Sequence, residues 1–135
     1  MTPGYSGKSL VTKLGLKPNS SFYTFDVPPE YLDWLVPLPE GVKHVTVLEP
    51  DLGFIHGFFV KHSIFAEQLP IFKMHLEKSG MIWISWLKKS AKIPTDITED
   101  TIREIALPMG LVDVKVCAVS EIWSGLKLVI PVNRR

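Results

Sequence analysis

Seven residues from Met81 to Leu87 carry no charge, and Gly80 fences them on one side and Lys88 and Lys89 on the other. A run this short cannot span a bilayer, which takes roughly 20 apolar residues. It reads instead as a strand covered on both faces, as in a parallel sheet between two layers of helices. His44 to Leu48 and Phe54 to Val60 are largely apolar in the same way. Between these runs, Phe65, Leu69, Phe72 and Leu76 recur at helical spacing. Strands alternating with helices point to an α/β fold with helices on both faces of the sheet.

The 135 residues leave room for one core, so residues 1–135 are expected to form a single domain. With 46% hydrophobic and 21% charged residues, 11 Pro and 9 Gly, neither a disordered nor a collagen-like chain fits. Ser6 is expected to cap a short helix lined by Leu10, Val11 and Leu14, with Gly15 as its left-handed exit, packed across a sheet edge. A strand follows at Phe22 to Phe25, and Pro29 opens a short helix carrying Tyr31, Leu32, Trp34 and Leu35. Ser63 is the expected cap of the helix that ends at Gly80, with Pro70 kinking or splitting it. Asp96, with Glu99 three residues on, is the expected cap of a helix holding Ile102, Ile105 and Ala106, which Pro108 and Gly110 end. Val112 to Ala118 alternates, and a run from Leu126 to Val132 after a turn near Ser124-Gly125 closes the chain as a β-hairpin.

A formal net charge of +1 gives no field to recruit nucleic acid or an anionic membrane, so neither is an expected partner. Cys117 is the single cysteine, which excludes an internal disulfide and a cysteine-based zinc site, and the opening holds no charged-then-apolar leader. The cytoplasm is the expected compartment. Gly7-Lys8-Ser9 ends a phosphate-loop pattern, but Thr2 stands where its first glycine belongs, so the segment reads as a capped helix start. Ser85-x-x-Lys88 imitates a serine hydrolase motif, yet in a strand the two side chains face opposite ways. His44, His56, His62 and His75 have no metal spacing and are expected at the surface or sheet edge; no metal site is expected.

The richest cluster is Lys88, Lys89, Ser90 and Lys92, followed by Thr95, Asp96 and Thr98. In an open α/β sheet ligands bind outside the carboxyl ends of the strands, which is where this segment falls, ahead of a helix N-terminus. It is the expected ligand site, for a small anion such as a phosphate or carboxylate, with Trp86, Trp123 and Lys127 joining the same edge.

Lys13-Leu14-Gly15-Leu16-Lys17-Pro18 ahead of the first strand, the stretch Phe72 to Trp86 and the closing hairpin resemble a shortened class I S-adenosylmethionine-dependent methyltransferase. The resemblance implies a Rossmann-like, mainly parallel sheet of about six strands with a C-terminal antiparallel hairpin. The expected order puts the strand at 44–48 first, then those at 22–25, 54–60 and 81–87, then the hairpin. In that family a glycine-rich loop after the first strand lets the backbone approach the cofactor, and an acid after the second strand binds the ribose. Here Asp26-Val27-Pro28-Pro29-Glu30 replaces the loop, and Glu49 is the residue that would match the acid. Only five residues, Glu49 to Gly53, separate the runs at 44–48 and 54–60, barely enough for a parallel crossover. The opening Thr2 to Leu10 and the block Lys88 to Leu128 are similar to a family of small bacterial proteins catalogued only as a domain of unknown function. Together these imply a non-enzymatic binding or interaction module on a degenerate methyltransferase-like scaffold, without catalytic residues or cofactor. The alternative is a small enzyme using the lysine-rich edge on a phosphorylated or carboxylated substrate. A third reading is a homo-oligomer whose interface includes Trp34 or Phe58.

Overall fold

A computed structural model describes residues 9–135 and contains one six-stranded sheet. The elements run α1 Leu10–Leu14, β1 Ser21–Phe25, α2 Tyr31–Trp34, β2 Lys43–Val45, β3 Leu52–Phe58, α3 His62–His75, β4 Leu76–Leu87, α4 Glu99–Ala106, β5 Val112–Ala118 and β6 Trp123–Val129. The sheet order is β2-β1-β3-β4-β6-β5. The first four strands are parallel and β6 is antiparallel to both β4 and β5. The α/β class, the mainly parallel sheet and the closing hairpin are therefore those the sequence implies.

Alternation along the strands divides the core into two layers. Tyr23, Ile55, Ile82, Ile84, Leu126 and Leu128 face α3 and α4, whose Phe65, Leu69, Phe72, Ile102 and Ala106 cover them. Phe22, Phe54, Phe58, Met81 and Trp83 face α1 and α2, covered by Leu10, Val11, Leu14, Tyr31 and Leu35. α1 reaches from the middle of the sheet to its β5 edge: Trp83 Nε1 on β4 donates to the Leu14 carbonyl at 2.8 Å, and Lys115 Nζ on β5 donates to the Lys13 carbonyl at 3.0 Å.

The edge strand β2 is three residues long, shorter than the run 44–48, and that shortness solves the crossover. The return to β3 climbs about 10 Å along the strand and crosses β1 over about 10 Å, roughly 14 Å in all. Residues 46–51 reach about 20 Å when extended. No helix is needed.

Several local expectations are corrected. Ser6, Gly7 and Lys8 lie outside the described residues, and the cap of α1 is Ser9, whose Oγ accepts from Thr12 N. Ser63 does not cap α3; Asp96 Oδ1 accepts the His62 N–H at 2.6 Å instead. Pro70 does not split α3, which runs unbroken from His62 to His75 with Pro70 exposed and Leu69 and Phe72 buried. The helix also stops earlier than Gly80. β4 begins at Leu76, and Gly80 lies within the strand, where a Cβ would come within 2.9 Å of the Leu52 carbonyl. α4 is capped by Thr98, not Asp96: Thr98 Oγ1 accepts from Thr101 N at 3.2 Å, and Thr98 N donates to Thr101 Oγ1 at 2.9 Å. Ser124 and Gly125 lie in β6, so the hairpin turns through residues 119–122. Gly110, at φ 88, ends the α4 segment as expected.

Candidate functional site

β4 delivers its last residues to the carboxyl edge of the sheet. Leu87 is still buried, and Lys88 leaves the strand with its N–H on the Ile122 carbonyl at 2.8 Å. A single 3-10 turn over Lys89–Ala91 follows, closed by Lys92 in the left-handed region at φ 55. The chain then passes through Ile93 and Pro94, without regular secondary structure, to α4. Between this return and the end of β4 lies a half-open cleft of about 720 Å³. Trp86, Leu87, Ile93, Pro94 and Ile97 supply its apolar surface, Lys88 and Lys89 one pair of charges, and Glu99 and Asp100 the opposite pair.

Of the residues expected at the site, Trp86, Lys88, Lys89, Thr95 and Thr98 line this cleft, while Ser90, Lys92, Asp96, Trp123 and Lys127 do not. Asp96 is turned to the start of α3 and lines a neighbouring shallow hollow with Val60, Lys61 and Ser63. Ser90 and Lys92 sit exposed on the turn outside the cleft. Trp123 is on the opposite face, edge-on to Phe58 with ring centroids 5.0 Å apart. Lys127 pairs across from Trp83 in mid-strand, away from the carboxyl end, where burial and the nearby Lys115 and Lys17 charges lower its pKa.

The polar groups of the cleft are largely engaged by the chain itself. Lys88 Nζ donates to the Ser120 carbonyl at 2.8 Å, so its head braces the hairpin turn. Thr95 Oγ1 donates to the Val60 carbonyl at 2.6 Å, and Thr98 Oγ1 caps α4. Glu99 is bonded to Arg103, which also donates to Asp113 Oδ2 at 2.8 Å and holds that carboxyl below its ordinary pKa.

On the other face sequence reasoning missed a buried polar chain. His56, fully buried on β3, lies 2.8 Å from Ser85 Oγ through Nε2 and 2.9 Å from Tyr31 Oη through Nδ1. Burial lowers the His56 pKa to about 3 and raises that of Tyr31. The expectation that His56 is a surface or edge histidine is thus corrected, and Phe58, at 1% exposure, is core and not interface. The available signal was one polar residue inside each of two apolar runs, His56 and Ser85, on strands that become neighbours. Tyr31, His56 and Ser85 are all fully buried, so these three residues are part of the core.

The segment after β1 does not fit a cofactor loop. Asp26 takes the left-handed conformation at φ 54, and Pro28 and Pro29 have no N–H to offer. The Pro28 carbonyl accepts from Tyr31 N at 3.0 Å, Val27 packs against the core, and Tyr31 and Leu35 are fully buried over it. α2 is seated on β3 through Tyr31, whose ring lies edge-on to His56 and Phe58. Among the described residues, no group of three or more His, Cys, Asp or Glu is placed to hold a metal ion, and no helix is long and apolar enough to cross a membrane.

No family profile matches this chain, and no curated protein does. Its likeness is to solved structures. An S-adenosylmethionine-dependent methyltransferase from Aquifex aeolicus aligns over 90% of this chain and 88% of its own, at 16% identity and a TM-score of 0.60. The magnesium protoporphyrin IX methyltransferase of Synechocystis aligns over 90% and 74%, at 10% identity and 0.58. The Methanococcus jannaschii fibrillarin pre-rRNA processing protein aligns over 85% and 68%, at 14% identity and 0.54. At these identities the likeness establishes a scaffold: the chain has a class I methyltransferase-like fold.

Proposed function

We propose that this chain is a non-enzymatic binding module on a methyltransferase-like scaffold, presenting the cleft at the end of β4 to its ligand. One observation carries the reading: the segment 26–35 is anchored in the core by buried Tyr31 and Leu35, and two prolines without N–H groups stand where an approachable backbone would be needed. A binding module keeps the edge of a Rossmann-like sheet as a recognition surface while losing the loop that holds the methyl donor. In this reading residues 1–135 form one domain of a small bacterial protein of the cytoplasm, in the family whose opening and whose Lys88–Leu128 block it resembles.

Thermal unfolding, followed by tryptophan fluorescence, tests the proposal against S-adenosylmethionine, its demethylated product, nucleotides, phosphate and simple carboxylates. A ligand at about one hundred times its Kd adds about 2.7 kcal/mol, several degrees for a domain of this size. The expected result is no shift with the methyl donor. A shift with it overturns the reading, and a shift confined to phosphates or carboxylates favours the small-enzyme alternative at Lys88 and Lys89.

A further inference from the structure

We propose that the cleft between the end of β4 and the start of α4 takes an extended peptide segment of a partner protein, one with an apolar side chain between an acidic and a basic residue. The proposal rests on the binding-module reading and names the partner.

The cleft carries charges of opposite sign on different walls: Lys89, exposed where the chain leaves β4, and Asp100, 88% exposed at the start of α4 and 3.5 Å from Arg103, while Lys88 is held by the Ser120 carbonyl and Glu99 by Arg103. A simple anion drawn to the lysines meets two carboxylates already at the positive end of α4, so that helix end has no free charge to offer it. A simple cation meets the lysines. A ligand carrying both signs complements both walls. Trp86, Leu87 and Ile97 are buried against the core yet line the cleft, and Ile93 is 46% exposed beside them, so its centre suits an apolar side chain.

The polar groups speak against a free small molecule. Sites for such ligands converge a few unengaged polar groups on the bound molecule. Here the Thr95 and Thr98 hydroxyls are spent on the chain's own backbone, and no buried side-chain nitrogen or oxygen among the described residues lacks a partner. What remains is an apolar floor with charges at the rim, in a half-open cleft of about 720 Å³. Peptide segments are read in this way, by one anchored side chain and flanking charges.

The test uses the full chain, labelled with ¹⁵N, and two end-blocked tetrapeptides: acetyl-Glu-Leu-Leu-Lys-amide and the reverse order, acetyl-Lys-Leu-Leu-Glu-amide. The neutral acetyl-Gln-Leu-Leu-Gln-amide, free leucine and inorganic phosphate are controls. The expected result is that one charged order moves the amide resonances of residues 86–100 and binds about tenfold tighter than the neutral peptide, the sum of two modest rim pairs. The double variant Lys89→Glu with Asp100→Lys should then prefer the opposite order. Both side chains are exposed, so the variant's unfolding temperature checks that it folds. Equal binding of the neutral peptide, larger shifts with leucine or phosphate than with either charged peptide, or no shift with any peptide each overturns the proposal. The binding-module reading fails separately, on a thermal shift with the methyl donor.

Discussion

His56 is the residue on which the α2 face of the core turns. It bridges α2, β3 and β4 with no charged group among its ring contacts, which are Tyr31, Phe54, Phe58 and Trp83. Burial holds the imidazole neutral down to about pH 3, against 6.5 for an ordinary histidine. The unfolded chain therefore binds one more proton across that window. Stability is complete above about pH 6.5 and falls as pH drops toward 3. At pH 4.5 this group accounts for a loss of about 2–3 kcal/mol. Urea unfolding at pH 7 and pH 4.5 should show that loss in the native chain and a smaller one in His56→Gln; equal losses would contradict the assignment. Phe58→Ala should cost about 3–5 kcal/mol in the same assay with unchanged molecular mass, as a core residue does. A change of mass without loss of stability would return Phe58 to an interface. Gly57 faces the other layer, where an added Cβ would meet Phe59 Cε2 at 2.7 Å and Phe72 Cε2 at 2.9 Å. Gly57→Ala is expected to cost about 1–3 kcal/mol by overpacking.

Among the elements, caps show what a sequence hides. Asp96 precedes α4 and looks like its cap, but its carboxylate reaches across the chain to the first N–H of α3, while Thr98 closes α4 through Thr101. Both roles are open to an acid near a helix start. Only the packing of α3 beside α4 decides which helix receives it. Asp96→Ala and Thr98→Ala should each cost about 1 kcal/mol of unfolding free energy, read from denaturant midpoints. If Thr98→Ala were silent, Asp96 would be restored as the cap of α4. The strands were more legible. Runs such as 54–60 and 81–87 announce burial on both faces, and the alternation from Val112 to Ala118 announces an outer strand. The extent of β2 and the start of β4 were not legible, because edge length and the bulged pairing between Leu52 and Phe54 are set by neighbours distant in sequence.

For the whole molecule, the family resemblance implied the order of the first four strands with the hairpin beyond them, and the structure adds that β6, not β5, pairs with β4. The site was legible as a place, the carboxyl edge after β4, and less so as a set of residues. Trp86 and Trp123, both assigned to that edge, are separated by the sheet itself, with Trp86 in the α3 and α4 layer and Trp123 in the other. The acids of α4 entered the cleft because the loop after Lys92 folds back over it. The closure of the segment after β1 was visible in Pro28 and Pro29, whereas the seating of Tyr31 on His56 needed the fold. The central claim is that this closed segment leaves the scaffold without a methyl-donor site. Its most direct test is the amide spectrum of the full chain titrated with S-adenosylmethionine to millimolar concentration. The account predicts that the amides of Asp26 to Leu35 stay in place; their concerted, saturable movement would contradict it.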